Sequence, residues 1–141
     1  MRSRGQEVER SEIKKEGEKM SGFKELKVWQ IGIDLVLKVY KITESFPKSE
    51  IYGLSSQMRR CAVSIPSNIA EGSSRNNPKE FTQFLYIAQG SLSELDTQFT
   101  LAQLLGYIKD FNQIEELIRQ IRSMLTGLIK AQKTQNPQTK F

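Results

Sequence analysis

Apolar residues recur at intervals of three and four through four successive segments of the chain, so each segment is predicted to form a helix with one apolar face. No segment shows the strict apolar–polar alternation of a half-buried strand. The links between the segments are short, which favours antiparallel neighbours. We therefore predict an all-α fold, an antiparallel up-down-up-down four-helix bundle whose second helix is kinked at Pro66.

The ends of the helices divide the chain. Asn77 and Pro78 are typical of the first residues of a helix, and Gly106 is typical of a helix end. The four predicted helices span residues 23–45, from 49–53 to about 72, 77–105 and 110–132. The flanks are poor in apolar residues, so we predict a disordered or loosely helical charged arm over 1–22, one bundle domain over 23–132, and a frayed tail over 133–141.

Residue types that are missing narrow the possible chemistry. The 141 residues include no histidine and a single cysteine, Cys61, which removes histidine-based triads and the usual zinc ligand sets. We therefore predict a protein that is not an enzyme and that needs no metal and no cofactor. A lone thiol is typical of the reducing cytoplasm, and no apolar run is long enough to predict a membrane span.

The charge balance indicates the class of partner. The formal net charge is +5, and a basic protein favours an anionic partner such as RNA or DNA. The candidate nucleic-acid contacts are Arg59, Arg60, Arg75 and Lys79.

The second helix, within residues 51–75, concentrates polar residues that allow two interpretations. On a helical wheel, Arg60 shares an arc with a polar ladder beside the apolar seam, whereas Arg59 points about 100° away. The ladder consists of Gln57, Ser64, Asn68 and Glu71, together with Glu94 of the third helix. In the favoured interpretation the ladder is a packing network. Its amide and hydroxyl groups bond backbone groups freed by Pro66, and Arg60 pairs with Glu71 or Glu94. In the other interpretation the arginines contact phosphates, and Arg59 is the residue most free to face a ligand.

The third helix has a second, weaker apolar face. Its members fall well off the main seam, and they are Tyr86, Ile87, Leu101 and Leu105. Gly90 lies nearly opposite the seam, where a glycine in mid-helix is typical of close approach by another backbone. A helix that is apolar on two sides predicts packing on both, and therefore a homo-oligomer.

Three motifs carry a resemblance to a known family. They are QMRR at 57–60, SIPSNIAEG at 64–72 and GSLSEL at 90–95. In this order, they resemble the four-helix-bundle proteins encoded by intervening sequences of bacterial large-subunit (23S) rRNA genes. The resemblance extends over about residues 23–128 and leaves the charged arm outside. That family is similar in turn to the accessory variability-determinant proteins of diversity-generating retroelements.

The resemblance implies an assembly and a class of partner. Family structures assemble as homopentamers around a central channel, and the retroelement proteins are basic pentamers that bind nucleic acid and partner with a reverse transcriptase. The chain is therefore expected to be a non-catalytic homopentamer that binds RNA or DNA through basic residues, as an accessory to a nucleic-acid-processing protein. The alternative is a structural or protein-interaction module with no nucleic-acid partner.

Overall fold

Four long helices account for most of the computed structural model, which describes residues 22–135. Two short 3₁₀ helices, Gly22–Glu25 and Lys48–Glu50, precede the first and second of them. The long helices are α1 (Lys27–Thr43), α2 (Leu54–Ser73), α3 (Pro78–Leu104) and α4 (Asn112–Gln135). No strand occurs within the described range, so the predicted all-α four-helix bundle is confirmed.

Both ends of α3 follow the predicted chemistry. The Asn77 side chain accepts hydrogen bonds from the backbone N–H groups of Lys79 and Glu80, and Pro78 occupies the first helical position. At the other end Gly106 has φ +81°, a conformation that favours glycine. The N–H groups of Gly106 and Tyr107 bond the carbonyls of Gln103 and Ala102, which is the Schellman pattern of a helix end.

The other helix boundaries differ from the predicted ones by a few residues. The first predicted helix is split, because Leu26 has an extended backbone between the 3₁₀ turn and α1. The last helix continues to Gln135, past the predicted end at 132. Residues 1–21 of the predicted arm and 136–141 of the predicted tail lie outside the described residues.

Contacts between consecutive helices pair residues in antiparallel register. Along α2 and α3, Ser64 meets Ser91, and Gly72 approaches Phe81. Along α3 and α4, Gln89 bonds Thr126, while Ser93 bonds Arg122 nearer the start of α4. Antiparallel packing places the α1–α2 link and the α3–α4 link at the same end of the bundle.

The core consists of one apolar face of each long helix, and in α2, α3 and α4 this face is the predicted one. In α1 the apolar spacing predicts a seam through Ile33, Val36 and Tyr40, but Leu35 and Val39 are buried instead. The side chains with no exposed surface include Leu35, Val39, Met58, Ile65, Ile69, Leu85, Leu92, Leu95, Phe99, Ile121 and Leu125. All four long helices contribute, and burial of these side chains is the main source of stability. No helix in the described range is both long and apolar enough to cross a membrane.

The two links at one end of the bundle are bonded to each other. The Tyr107 hydroxyl donates to Glu50 Oε2 at 2.7 Å, and Glu50 Oε1 accepts from the Leu54 N–H at 3.0 Å. The Tyr107 ring also packs on Phe46, with centroids 5.3 Å apart. Glu50 therefore connects the start of α2 to the segment that follows α3.

Candidate nucleic-acid interface

An open groove of about 950 Å³ lies where α1 ends and α2 begins. Its walls combine apolar and hydroxyl side chains with three cations and one carboxylate. The lining residues are Tyr40, Thr43, Glu44, Phe46, Pro47, Lys48, Ile51, Ser55, Ser56, Arg59, Arg60, Val63 and Ser64. Two of the four predicted nucleic-acid contacts, Arg59 and Arg60, are therefore brought together in one recess.

Arg59 is bound to the end of α1. Its Nε donates to Thr43 Oγ1 at 2.8 Å, and Nη2 donates to the Tyr40 carbonyl at 3.3 Å. The guanidinium also lies over the Tyr40 ring, 4.7 Å from the centroid. A cation beside the last carbonyls of a helix is favourable, because these carry partial negative charge. The prediction that Arg59 is the residue most free to face a ligand is wrong, since two of its five N–H donors already bond the end of α1.

Arg60 is the freer arginine. It is exposed on the groove wall, and it makes no hydrogen bond or ion pair to any residue of 22–135. The predicted pairing of Arg60 with Glu71 or Glu94 is wrong. Eleven residues along one helix separate Arg60 from Glu71 by about 16 Å, which is too far for an ion pair. Glu94 is exposed on α3 and has no ion-pair partner within that range.

Arg75 and Lys79 lie at the other end of α2, about 20 Å from Arg60. Arg75 Nη2 pairs with Glu71 Oε1 at 2.6 Å, and its guanidinium lies 5.6 Å from the centroid of the Phe84 ring. Lys79 is exposed in the first turn of α3. The four predicted contacts are therefore divided between the two ends of α2, and Arg59 and Arg60 are the two that line the groove.

The predicted polar ladder is divided between the α2–α3 junction and the surface. Ser64 donates to the Cys61 carbonyl at 2.6 Å, so the Ser91 hydroxyl, 2.7 Å away, donates to Ser64. Asn68 Nδ2 donates to the Ser64 carbonyl at 2.7 Å. Neither bond ends on the Ala62 carbonyl, which is the group that loses its helical partner at Pro66. The remaining predicted members, all exposed, are Gln57, Glu71 and Glu94.

Cys61 lies in the same α2–α3 junction, and its thiol is expected to be unreactive. Burial raises the pKa of its thiol to about 12, and the Glu94 charge adds to the shift. The thiol therefore stays protonated near neutral pH and lacks the thiolate form that reacts. Its Sγ lies 3.0 Å from the Ser91 carbonyl, so the side chain packs between α2 and α3.

The predicted close-packing positions have different surroundings. α2 is continuous through Pro66, whose ring lies against Gly32 of α1, and the kink there stays a prediction. Gly90 is exposed, and apart from its chain neighbours and the backbone of its own helix no described atom lies within 4 Å of a Cβ placed there, so it is not a close-packing position within one chain. The tight approach is at Gly72, where such a Cβ would lie 2.7 Å from Phe84 Cβ.

The lining residues that were not predicted as site residues include Tyr40, Thr43 and Lys48. The apolar spacing of the first helix predicts a buried Tyr40, but this residue is 42% exposed. The sequence offers one signal, a polar Thr43 one turn after Tyr40, but its pairing with Arg59 depends on contact between helices. Within residues 22–135 no cluster of three or more His, Cys, Asp or Glu side chains is arranged to hold a metal.

A protein-family model described as "23S rRNA-intervening sequence protein" matches residues 24–127, which include the groove and nearly all of the bundle. No curated protein matches the chain significantly.

Proposed function

The chain belongs to the family of 23S rRNA-intervening sequence proteins, and on this premise we propose that it is a non-catalytic, homo-oligomeric bundle that binds RNA or DNA. Arg60 and its basic neighbours in the groove are the contacts. The proposal places the protein in the cytoplasm, as an accessory to a nucleic-acid-processing protein.

The unpaired guanidinium of Arg60 is the observation that carries this proposal. Its five N–H donors are free of protein partners within the described range, and arginine in this state suits bidentate contact with phosphate. Lys48 and Arg59 line the same groove, where Glu44 is the one carboxylate among the lining residues. The local charge is therefore positive, which favours a polyanion.

The outer face of α3 supports the homo-oligomer. Apolar side chains are exposed there at Ile87 (51%), Leu101 (46%) and Leu104 (78%). Gly90, Glu94 and Thr97 lie on the same stripe, whose spacing of three and four is that of a helix face that packs against another helix. The pentamer is the assembly that the sequence resemblance implies, and it forms part of the proposal.

Filter binding of ribosomal RNA fragments tests the proposal. The wild-type oligomer should retain RNA at about 50 mM salt and lose affinity as salt rises, because phosphate contacts release counterions. Arg60→Ala should bind more weakly at every salt concentration. Failure of the wild-type oligomer to retain RNA at low salt would overturn the proposal.

The second candidate function is a structural module with no nucleic-acid partner. The engagement of Arg59 with α1 favours it, because this arginine already contributes to packing. In this case the wild-type protein would retain no RNA, and the Arg59→Ala, Arg60→Ala double variant would disrupt the oligomer. Sedimentation of that variant separates the two functions, since the binding proposal expects an unchanged oligomer.

A further inference from the structure

We propose that the groove selects single-stranded nucleic acid, with an unstacked base against its apolar wall and phosphates on Arg60 and Lys48. This inference rests on the proposed nucleic-acid binding and specifies the form of nucleic acid that the site takes. It follows from the walls of the groove, the fixed pair of planar groups within it, and the placement of its charges.

The apolar wall is the first reason. Tyr40, Ile51 and Val63 line the groove with 42%, 54% and 39% of their surface exposed. A duplex presents sugars and phosphates outward and keeps its base faces stacked inside, so it would leave an apolar recess unfilled. A single strand exposes its base faces and can bury them on aromatic side chains.

The Tyr40–Arg59 pair provides a platform whose geometry is set before a ligand arrives. Two hydrogen bonds to the end of α1 hold the Arg59 guanidinium 4.7 Å from the centroid of the Tyr40 ring. Planar aromatic and guanidinium groups are both surfaces on which bases stack. Because the pair is already ordered, stacking there loses little conformational entropy.

The charges that line the groove favour a ligand that carries phosphate. Arg60 and Lys48 line the groove and have no ion-pair partner in the part of the chain that the structure describes. Three of the four charged lining residues are cationic, which favours a phosphate-bearing ligand over a protein surface that carries charges of both signs. The groove volume of about 950 Å³ is near the top of the range for small-molecule sites, about 300–1,000 Å³, which leaves room for a base with its sugar and phosphates.

Fluorescence anisotropy with one labelled RNA strand of about 10 nucleotides, alone or annealed to its complement, tests the inference. The wild-type oligomer should bind the single strand more tightly than the duplex. Tyr40→Ala should weaken single-strand binding about 5-fold or more, the effect of losing one stacked base, and leave duplex binding unchanged. Tyr40→Phe keeps the ring and should retain the wild-type affinity.

A lysine outside the groove serves as a control for non-specific attraction between the basic protein and RNA. Lys41 is exposed on α1, next to Tyr40, but does not line the groove, so Lys41→Ala should weaken binding less than Lys48→Ala.

Equal affinity for strand and duplex, or full strand affinity in Tyr40→Ala, would overturn the single-strand inference and leave the proposed function standing. Strand affinity unchanged in both Tyr40→Ala and Arg60→Ala would also overturn it, because RNA would then bind outside the groove. Absence of binding to either nucleic acid would overturn the proposed function itself.

Discussion

At the scale of single residues, Arg59 and Arg60 have different surroundings because successive residues of a helix point about 100° apart. Arg59 faces α1 and is half-buried, whereas Arg60 faces solvent across the groove. A helical wheel places the two on different faces, but it does not show which face meets a neighbouring helix. Assigning the freer role to Arg60 therefore required the position of α1.

The two arginines should contribute unequally to stability. Arg59→Ala removes two hydrogen bonds and the stack on Tyr40, so we expect a loss of about 1–2 kcal/mol in the free energy of unfolding. Arg60→Ala removes no described contact and should change it by less than about 0.5 kcal/mol. Urea denaturation measures both. Equal losses in the two variants would contradict the assigned contacts.

At Gly72, α2 and α3 approach each other tightly. A Cβ there would lie 2.7 Å from Phe84 Cβ and 2.9 Å from Phe81 Cδ1, so Gly72→Ala should destabilise the protein by about 1–3 kcal/mol through overpacking. The matched control is Gly127→Ala in α4, where nothing lies within 4 Å and alanine should stabilise the helix by up to about 1 kcal/mol. Denaturation curves should shift in opposite directions. A neutral Gly72→Ala would contradict the close approach.

At the scale of elements, part of the bundle is predictable because local chemistry marks it. Asn77, Pro78 and Gly106 mark the ends of α3 through backbone hydrogen bonds and a positive φ, which depend on nearby residues only. The break at Leu26 was missed because apolar spacing continues across it without glycine or proline. The Glu50–Tyr107 bond joins residues 57 positions apart, so no local pattern indicates it.

The Glu50–Tyr107 hydrogen bond should make the free energy of unfolding depend on pH. The hydrogen bond from Tyr107, followed by that from the Leu54 N–H, lowers the pKa of Glu50 from its ordinary value of 4.5. A lowered folded-state pKa stabilises the fold above about pH 4.5, and the contribution is lost as the pH falls through the folded-state value. Tyr107→Phe should therefore be less stable than wild type at pH 7, and the gap should narrow below pH 4.

Ionisation of Tyr107 predicts a second pH dependence of stability, at alkaline pH. The bond to Glu50 raises the pKa of Tyr107 above 10, so its contribution is present below pH 10 and is lost as the pH rises further. Thermal or urea denaturation across the pH range measures both limbs. A gap between wild type and Tyr107→Phe that stays constant from pH 3 to 7 would contradict the role assigned to Glu50.

At the scale of the whole molecule, the apolar side chains on the outer face of α3 stay exposed in a single chain. Tyr86, Ile87, Leu101 and Leu105 were predicted to lie off the main seam, and all four are exposed. Sequence spacing was sufficient for this, because α3 is a long helix with clear ends. What covers the face is not encoded in a local pattern, so the homo-oligomer stays a proposal.

Gly90→Ala tests that proposal from the glycine on this face. Within one chain no atom outside the local backbone of α3 lies within 4 Å of a Cβ at Gly90, so Gly90→Ala should leave the stability of the fold unchanged or raise it by up to about 1 kcal/mol. If α3 of another copy packs there, the same Cβ should weaken assembly. Sedimentation equilibrium should show weaker association for Gly90→Ala than for Gly127→Ala. Unchanged association would place the interface elsewhere.

The central claim is that Arg60 contacts phosphate, and the salt dependence of RNA binding tests it most directly. For a single strand, each phosphate contact contributes about 0.7 to the slope of log K against log salt concentration. Arg60→Ala should therefore bind more weakly and lower that slope by about 0.7, whereas Gln57→Ala, an exposed neutral change one turn away, should leave it unaltered. An Arg60→Ala variant with the wild-type affinity and slope would contradict the account.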